Sequence, residues 1–275
     1  MSASHFVEQL RVLAALPDTA STRRALAAFE AVPRETFAGT GPWKIRSALA
    51  DLTLPLRSTP DADPKWLYHS VLIVLDEEKE INIGDPSLWV GLLSRAEIQP
   101  GTRILQVGAG VGYYTAILSK LVGSEGKVVA YEMEEELAKR ATANLVDYQN
   151  VELIYGDAAK ETVEAANFDL VVSFAGVTHV PSVWETRLTP NARLLLPLTG
   201  DDGWGAMILA QRTQQGYKSV TLGRCGFYPC LGARDADLSR QLSKLFSDTK
   251  KLDGWHFKMI GKDKDIQIEE IAINP

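Results

Sequence analysis

From Thr102 onward the chain alternates short apolar runs with helical segments, and no other feature constrains the fold as much. Arg103 to Val107 has the length of a strand and leads through a glycine loop into a helical stretch ending near Val122. Lys127 to Tyr131 is a second strand, followed by a helix from Glu134 to about Val146. Val151 to Tyr155, Phe168 to Val172 and Ala192 to Pro197 are the third, fourth and fifth strands. Parallel neighbours need a crossover, and a helix is the usual one, so the pattern predicts an α/β fold with a mostly parallel sheet. After the fifth strand the rule changes. Ala206 to Gln211 and Lys218 to Gly223 are separated only by Arg212 to Tyr217, too short for a helical crossover. That pair reads as a C-terminal antiparallel hairpin, followed by a helix from Ala236 to Phe246 and a strand-like segment, Ile266 to Ile273.

The residues before Thr102 read differently. Phe6, Leu10, Leu13 and Leu16 recur at helical spacing until Pro17-Asp18, and Ser21 or Thr22 caps a second helix from Arg24 to Ala31. This is an N-terminal helical layer. Gly39 to Pro64 carries Gly41-Pro42, Pro55, Pro60 and Pro64 and reads as a long irregular surface excursion.

Composition narrows the function classes. With 45% hydrophobic and 23% charged residues, the 275-residue chain is neither disordered nor collagen-like. Its net charge of -6 offers no general footprint for nucleic acid, and none of its apolar runs approaches the roughly 20 residues that span a bilayer. The opening Met1-Ser2-Ala3-Ser4-His5 has no basic stretch leading into an apolar run, so no secretory leader is expected. The two cysteines, Cys225 and Cys230, lack the second ligand pair of a zinc site; buried thiols in a reducing cytoplasm are expected, with no metal. Lysines 250, 251, 258, 262 and 264 alternate with Asp248, Asp253, Asp263 and Asp265, a mixture that suits a solvated tail better than an RNA surface.

The segment Ile104-Leu105-Gln106-Val107-Gly108-Ala109-Gly110-Val111-Gly112-Tyr113 stands where open α/β sheets bind ligands, beyond the carboxyl end of the first strand. Glu132 ends the second strand and can accept both hydroxyl hydrogens of a ribose. Asp157, in Gly156-Asp157-Ala158, ends the third and can accept from an adenine amino group. Together these strand ends read as an adenosine site. A dinucleotide fingerprint needs its third glycine where Tyr113 stands, and no G-x-x-x-x-G-K-[ST] phosphate loop is present. G-x-G-x-G with Glu132 and Asp157 fits S-adenosylmethionine, which carries no phosphate.

At this point the sequence resembles the class I methyltransferases, and among them the protein-L-isoaspartate O-methyltransferase family. The resemblance runs from about Ala31 to Phe246. It rests on Val32-Pro33-Arg34-Glu35-Thr36-Phe37, matching a V-P-R-x-x-F signature, and on Tyr68 with the apolar run after it. Ile81 to Pro86 falls where the family has Q-T-I-S-x-P, Asn191 to Pro197 matches its fifth-strand signature, and Phe227-Tyr228-Pro229 resembles its F-V-P. The resemblance implies a Rossmann-like class I methyltransferase sheet, S-adenosyl-L-methionine as donor, and an isoaspartyl-containing protein or peptide as acceptor. It further implies that Ile83 and Gly84 line the wall beside the methyl group. The candidate cofactor-binding residues are thus Ile83 and Gly84; Gln106, Gly108, Ala109, Gly110 and Gly112; Glu132 and Met133; and Asp157 and Ala158. Residues 1–100 are expected to form N-terminal helices and a substrate-side cap, 101–234 the cofactor-binding core, and 235–275 a C-terminal helix and extension.

Three departures from the family pattern bear on the acceptor. Gly84 stands where the family has a hydroxyl residue that engages the substrate carboxylate, Gln106 replaces an acidic residue, and Ser173 to Gly176 replaces a T-A-A loop. Ser87 can restore the hydroxyl from one turn away. A carboxylate acceptor is ionised at neutral pH and needs no base. A hydroxyl or amine on a small-molecule acceptor needs one, and Asp85 or His179 is the candidate; the plainer alternatives are an N-cap for Asp85 and a surface-loop residue for His179. A non-catalytic S-adenosylmethionine-binding protein is the third reading. Trp43, Trp66 and Trp89 are candidates for an acceptor pocket or for packing.

Overall fold

In the computed structural model, which describes residues 2–48, 55–160, 167–214, 216–248, 255–258 and 267–270, the chain begins with three helices: α1 (Ala3–Leu13), α2 (Ala20–Glu30) and α3 (Arg34–Ala38). Four short strands follow, β1 (Lys44–Arg46), β2 (Arg57–Ser58), β3 (Leu72–Asp76) and β4 (Ile81–Ile83), and then α4 (Pro86–Arg95). The alternating part comprises β5 (Arg103–Val107), α5 (Tyr113–Val122), β6 (Lys127–Glu132), α6 (Glu135–Asn144), β7 (Val151–Tyr155) and β8 (Phe168–Ser173). It continues through α7 (Ser182–Glu185), β9 (Leu188–Thr199), β10 (Trp204–Thr213), β11 (Gly216–Gly226) and α8 (Ala236–Asp248), with a small ladder of β12 (Trp255–Lys258) and β13 (Gln267–Glu270) at the end.

Contacts divide the chain into two units, one of Met1–Gly101, Ala109–Gly126 and Glu134–Val151, the other of Thr102–Gly108, Lys127–Met133 and Glu152–Pro275. In the first unit, α1 buries Phe6, Val7 and Leu10 on one face, and its Ser2 cap accepts from His5 N at 3.2 Å. Thr19, rather than Ser21 or Thr22, caps α2. Because α2 starts at Ala20, Thr22 is buried one turn in and Ser21 donates to Ser94 O at 2.7 Å. Within the Gly39–Pro64 excursion the described residues supply β1 and β2, and the antiparallel order is β2-β1-β3-β4. The expected irregular stretch therefore contributes two strands of a sheet; residues 49–54 lie outside the description.

The second unit holds the seven-stranded sheet, ordered β11-β10-β9-β8-β5-β6-β7. The strand β5 runs parallel to β6 and β8, and β8 parallel to β9; β10 turns back on β9, and β11 on β10. This is the α/β sheet with a terminal antiparallel hairpin that the spacing predicts. Its core includes Leu105, Val171, Trp184, Leu194, Leu196 and Ile208, all fully or almost fully buried. Cys225 and Cys230 are buried free thiols. Among the described residues no helix is long and apolar enough to cross a membrane. The lysine-rich run after Asp248 lies outside the residues described at side-chain level.

Candidate functional site

In the second unit, three strand ends stand side by side because β5, β6 and β7 are neighbours in the sheet. Gly108 N donates to Tyr131 O at 3.0 Å, and Gly156 N to Glu132 O at 3.0 Å, so the backbone hydrogen bonding runs one residue past each strand. Glu132 is buried, with 7% of its surface exposed. At Asp157, Oδ1 accepts from Ala159 N at 3.0 Å, closing a tight turn. Its other oxygen, Oδ2, is buried and accepts no hydrogen bond; the Lys160 ammonium stands 3.3 Å away as a counter-charge. A buried carboxylate oxygen without a donor is costly unless a ligand donor completes it. Ala158 is held in turn by its carbonyl, which accepts from Trp184 Nε1 at 2.7 Å. Gln106 is fully buried on β5; its Nε2 reaches Gly108 O at 3.5 Å and its Oε1 has no donor. Met133 is 40% exposed.

The glycine loop is built for backbone, not side-chain, contact. Gly108, Gly110 and Gly112 have φ of +80°, +57° and +93°, the left-handed region where a β-carbon is strained. At Gly112 a β-carbon would also fall 2.9 Å from Leu145 Cδ1. Gly112 is the N-cap of α5, and its N–H turns back to Ala109 O at 2.9 Å.

His179 lies in the loop after β8 and is buried at 7% exposure, against the surface-loop alternative. Thr178 Oγ1 gives its proton to Ala233 O at 3.2 Å and accepts from Asp235 N at 2.9 Å. The Nδ1 of His179 pairs with that hydroxyl at 3.0 Å.

In the first unit Asp85 caps α4. Its Oδ1 accepts from Ser70 Oγ at 2.5 Å, Ser87 N at 2.7 Å and Ser87 Oγ at 2.8 Å. Ser87 thus spends its hydroxyl proton on Asp85. Ile83 is buried at the end of β4, and Gly84 O accepts from Tyr114 Oη at 2.8 Å. Trp89 and Trp43 are buried and Trp66 donates to Asp61 Oδ1 at 2.8 Å, so packing and local bonding account for all three.

The profile of the family described as protein-L-isoaspartate(D-aspartate) O-methyltransferase matches residues 5–234. The chain belongs to this family. The protein-L-isoaspartate O-methyltransferase of Nitrobacter winogradskyi is 30% identical over 77% of this chain and 86% of its own length. That of Methanothermobacter thermautotrophicus is 25% identical over 77% of this chain and 87% of its own length. Among solved structures, a protein-L-isoaspartate O-methyltransferase superposes with a TM-score of 0.67 at 18% identity, covering 98% of this chain and 88% of its own. A putative family member from Plasmodium falciparum, solved with S-adenosyl-L-homocysteine, superposes with a TM-score of 0.61 at 16% identity, covering 84% of this chain and 98% of its own. These structures establish the class I methyltransferase fold for this family member.

Sequence spacing singles out Gly108, Glu132 and Asp157, and the sheet order brings their strand ends together. It misses two arginines, one in each unit, and a glycine of the second unit. Arg34 of the V-P-R motif is fully buried and donates to Leu67 O at 2.6 Å, His69 O at 2.8 Å and Val71 O at 3.1 Å. Gly232 covers the Asp157 carboxylate, and Arg234 gathers Thr199 O at 2.9 Å, Gly200 O at 2.6 Å and Ser239 Oγ at 2.7 Å. Arginine is what buried carbonyl clusters call for, since its guanidinium carries five donors, but no local spacing announces which arginine will be buried.

Proposed function

We propose that this chain is an S-adenosyl-L-methionine-dependent methyltransferase that esterifies the free carboxylate of L-isoaspartyl residues in proteins and peptides. The observation that carries the reading is the unsatisfied, buried Oδ2 of Asp157 beside the buried carboxylate of Glu132 at the ends of neighbouring strands. Asp157 Oδ2 needs a donor, and the exocyclic amine of adenine is one. Glu132 supplies the acceptor for ribose hydroxyls, and the Gly108 to Gly112 backbone admits an uncharged thioether or sulfonium chain closely. Gln106 Oε1, also without a donor, suits the ammonium group of the same ligand. When bound, S-adenosyl-L-methionine supplies a sulfonium-activated methyl group; a carboxylate oxygen bonds to that carbon as the carbon–sulfur bond breaks, its electron pair going to sulfur.

The chain's own residues bind, orient and exclude water; no proton moves in the transfer, because the acceptor is already ionised. A general-base role for Asp85 or His179 belongs to a hydroxyl or amine acceptor, which this reading does not require. Ile83 and Gly84 keep the place beside the methyl group that the family motif gives them, with Gly84 at the position of the hydroxyl residue that engages the acceptor. Free, buried Cys225 and Cys230 accord with a reducing cytoplasm.

The test is transfer of labelled methyl to a synthetic isoaspartyl peptide and to its ordinary aspartyl counterpart. Base-labile label on the first alone is expected, with at least tenfold weaker S-adenosylhomocysteine binding in Glu132→Ala. Labelling of neither peptide, with cofactor binding intact, would overturn the acceptor assignment.

A further inference from the structure

Tyr114 lies in the first turn of α5, two residues beyond Gly112, the last glycine of the donor loop. Its ring is buried and its hydroxyl donates to Gly84 O at 2.8 Å, thirty residues back in sequence. Burial pushes that hydroxyl well above its ordinary range, so it stays protonated and donates across the working pH. The contact is more than one hydrogen bond. A β-carbon on Gly84 would lie 3.0 Å from Trp89 Nε1, so the absence of a side chain lets the Trp89 ring close on the corner, while at 3.8 Å the Tyr114 ring would be in ordinary contact. The two rings meet at 5.4 Å between centroids. Trp89 is carried by α4, whose first turn is fixed by Asp85: Trp89 N donates to Asp85 O at 3.2 Å. Next to Tyr114, Tyr113 packs edge-on against Phe37 at 5.7 Å and under the Arg34 guanidinium at 5.5 Å. The start of α5 is thus clamped by two adjacent tyrosines. One engages the Arg34 cluster and the other the Gly84 corner.

We propose that Tyr114 is a positioning residue that joins the donor loop and the Gly84–Asp85 corner into one mechanical element, so that a nucleoside ligand on the loop strengthens acceptor binding. This rests on the function proposed above, in which the loop holds the donor and the Ile83–Gly84 motif serves the acceptor. Residues 109–112 must be ordered when a ligand uses their backbone, and the α5 cap is their last member. Order at that cap is order at Tyr114, and the Tyr114–Gly84 bond passes it to the corner. Coupling of this kind is reciprocal: donor tightens acceptor by the same factor that acceptor tightens donor.

The experiment uses the full chain, S-adenosylhomocysteine and a synthetic isoaspartyl peptide, with Tyr114→Phe as the variant. Phenylalanine keeps the ring contacts and removes only the donor. In the parent, S-adenosylhomocysteine should tighten peptide binding about tenfold by calorimetry and slow amide exchange across residues 82–88; in Tyr114→Phe the tightening should fall below about twofold and the protection should vanish. A purely structural residue would weaken both ligands without changing their coupling. Equal coupling and equal protection in the two proteins overturn the proposal, as does a parent that shows neither. If the peptide does not bind but protection appears in the parent alone, the mechanical link stands and the acceptor assignment falls. Should Tyr114→Phe not fold, Gly84→Ala, whose β-carbon would lie 3.0 Å from Trp89 Nε1, crowds the same corner and must lower the same protection.

Discussion

Gly232 packs directly on the Asp157 carboxylate: a β-carbon built on it would stand 2.4 Å from each carboxylate oxygen. The residue belongs to a short strap whose neighbours are pinned to the loop after β8, since Cys230 N donates to Gly176 O at 2.8 Å and Thr178 N to Ala233 O at 3.0 Å. The strap cannot retreat without breaking these bonds, so an added methyl must displace Asp157. Gly232→Ala should therefore weaken S-adenosylhomocysteine binding at least tenfold while costing about 1–3 kcal/mol of stability. It should also erode preference for the adenine amine, narrowing the gap between S-adenosylhomocysteine and its 6-oxo analogue, S-inosylhomocysteine. Calorimetry with both compounds decides it; parent-like selectivity in the variant counts against the role given to Asp157.

Arg34 presents a second long-range dependence. Its guanidinium is fully buried with no carboxylate partner among the described residues; its two terminal nitrogens donate to three carbonyls, its Nε has no acceptor, and it lies over two aromatic faces, Phe6 at 5.8 Å and Tyr113 at 5.5 Å. Arg34→Leu removes the guanidinium donors from the Leu67, His69 and Val71 carbonyls, leaving His69 O only its bond from Val71 N at 2.9 Å, and should cost about 3–5 kcal/mol. Arg34→Lys should recover less than half of that, because one ammonium cannot reproduce the fork. Urea denaturation of the three proteins measures the series. A loss under about 1 kcal/mol for Arg34→Leu contradicts the account.

These two residues mark the boundary of what the sequence discloses. The β5–loop–α5 unit is legible because its signals are local: an apolar run, three glycines and a helical stretch within twenty residues. The hairpin of β10 and β11 is legible for the same reason, as the short gap excludes a crossover. Gly232 is 75 residues from Asp157, and nothing near it hints at the carboxylate it covers. The β1–β4 sheet is hidden because its strands are two to five residues long, too short to display a period of two, and the prolines around β1 and β2 read as a loop. His179 illustrates the converse. A histidine in a loop suggests exposure, yet His179 is buried next to Thr178, whose bonds to Ala233 and Asp235 no local spacing announces.

Asp85 and His179 separate carboxylate chemistry from base-assisted chemistry. Asn at position 85 retains an oxygen for the α4 cap, so Asp85→Asn should cost no more than about 1 kcal/mol. With an isoaspartyl peptide its turnover should stay within about threefold of the parent, and so should that of His179→Gln. The kcat profile should be flat through the imidazole range, since no proton is transferred. A hundredfold fall in kcat at unchanged KM in either variant would mean that the group moves a proton in the transition state.

The buried thiols give a prediction on pH. Burial pushes the Cys230 thiol up to about 11, with the nearby Asp157 carboxylate adding to the effect, and pushes Cys225 up to about 12. At pH 8 the folded chain then holds only about one thiolate per thousand at Cys230. Iodoacetamide should leave both residues unmodified in the native protein and alkylate both in guanidinium chloride. The stability linkage has a definite sign. Below the ordinary thiol value near 9 both states are protonated and the contribution is fully present; as pH rises from 9 through 11 the unfolded chain ionises first and stability is lost. For Cys230 the loss is roughly 2–3 kcal/mol. Cys230→Ala should flatten that part of the alkaline limb of a stability-against-pH curve, whatever its cost at pH 7. Native-state alkylation at pH 8 as fast as in denaturant would show that the thiols are reached by solvent and that burial does not set their ionisation.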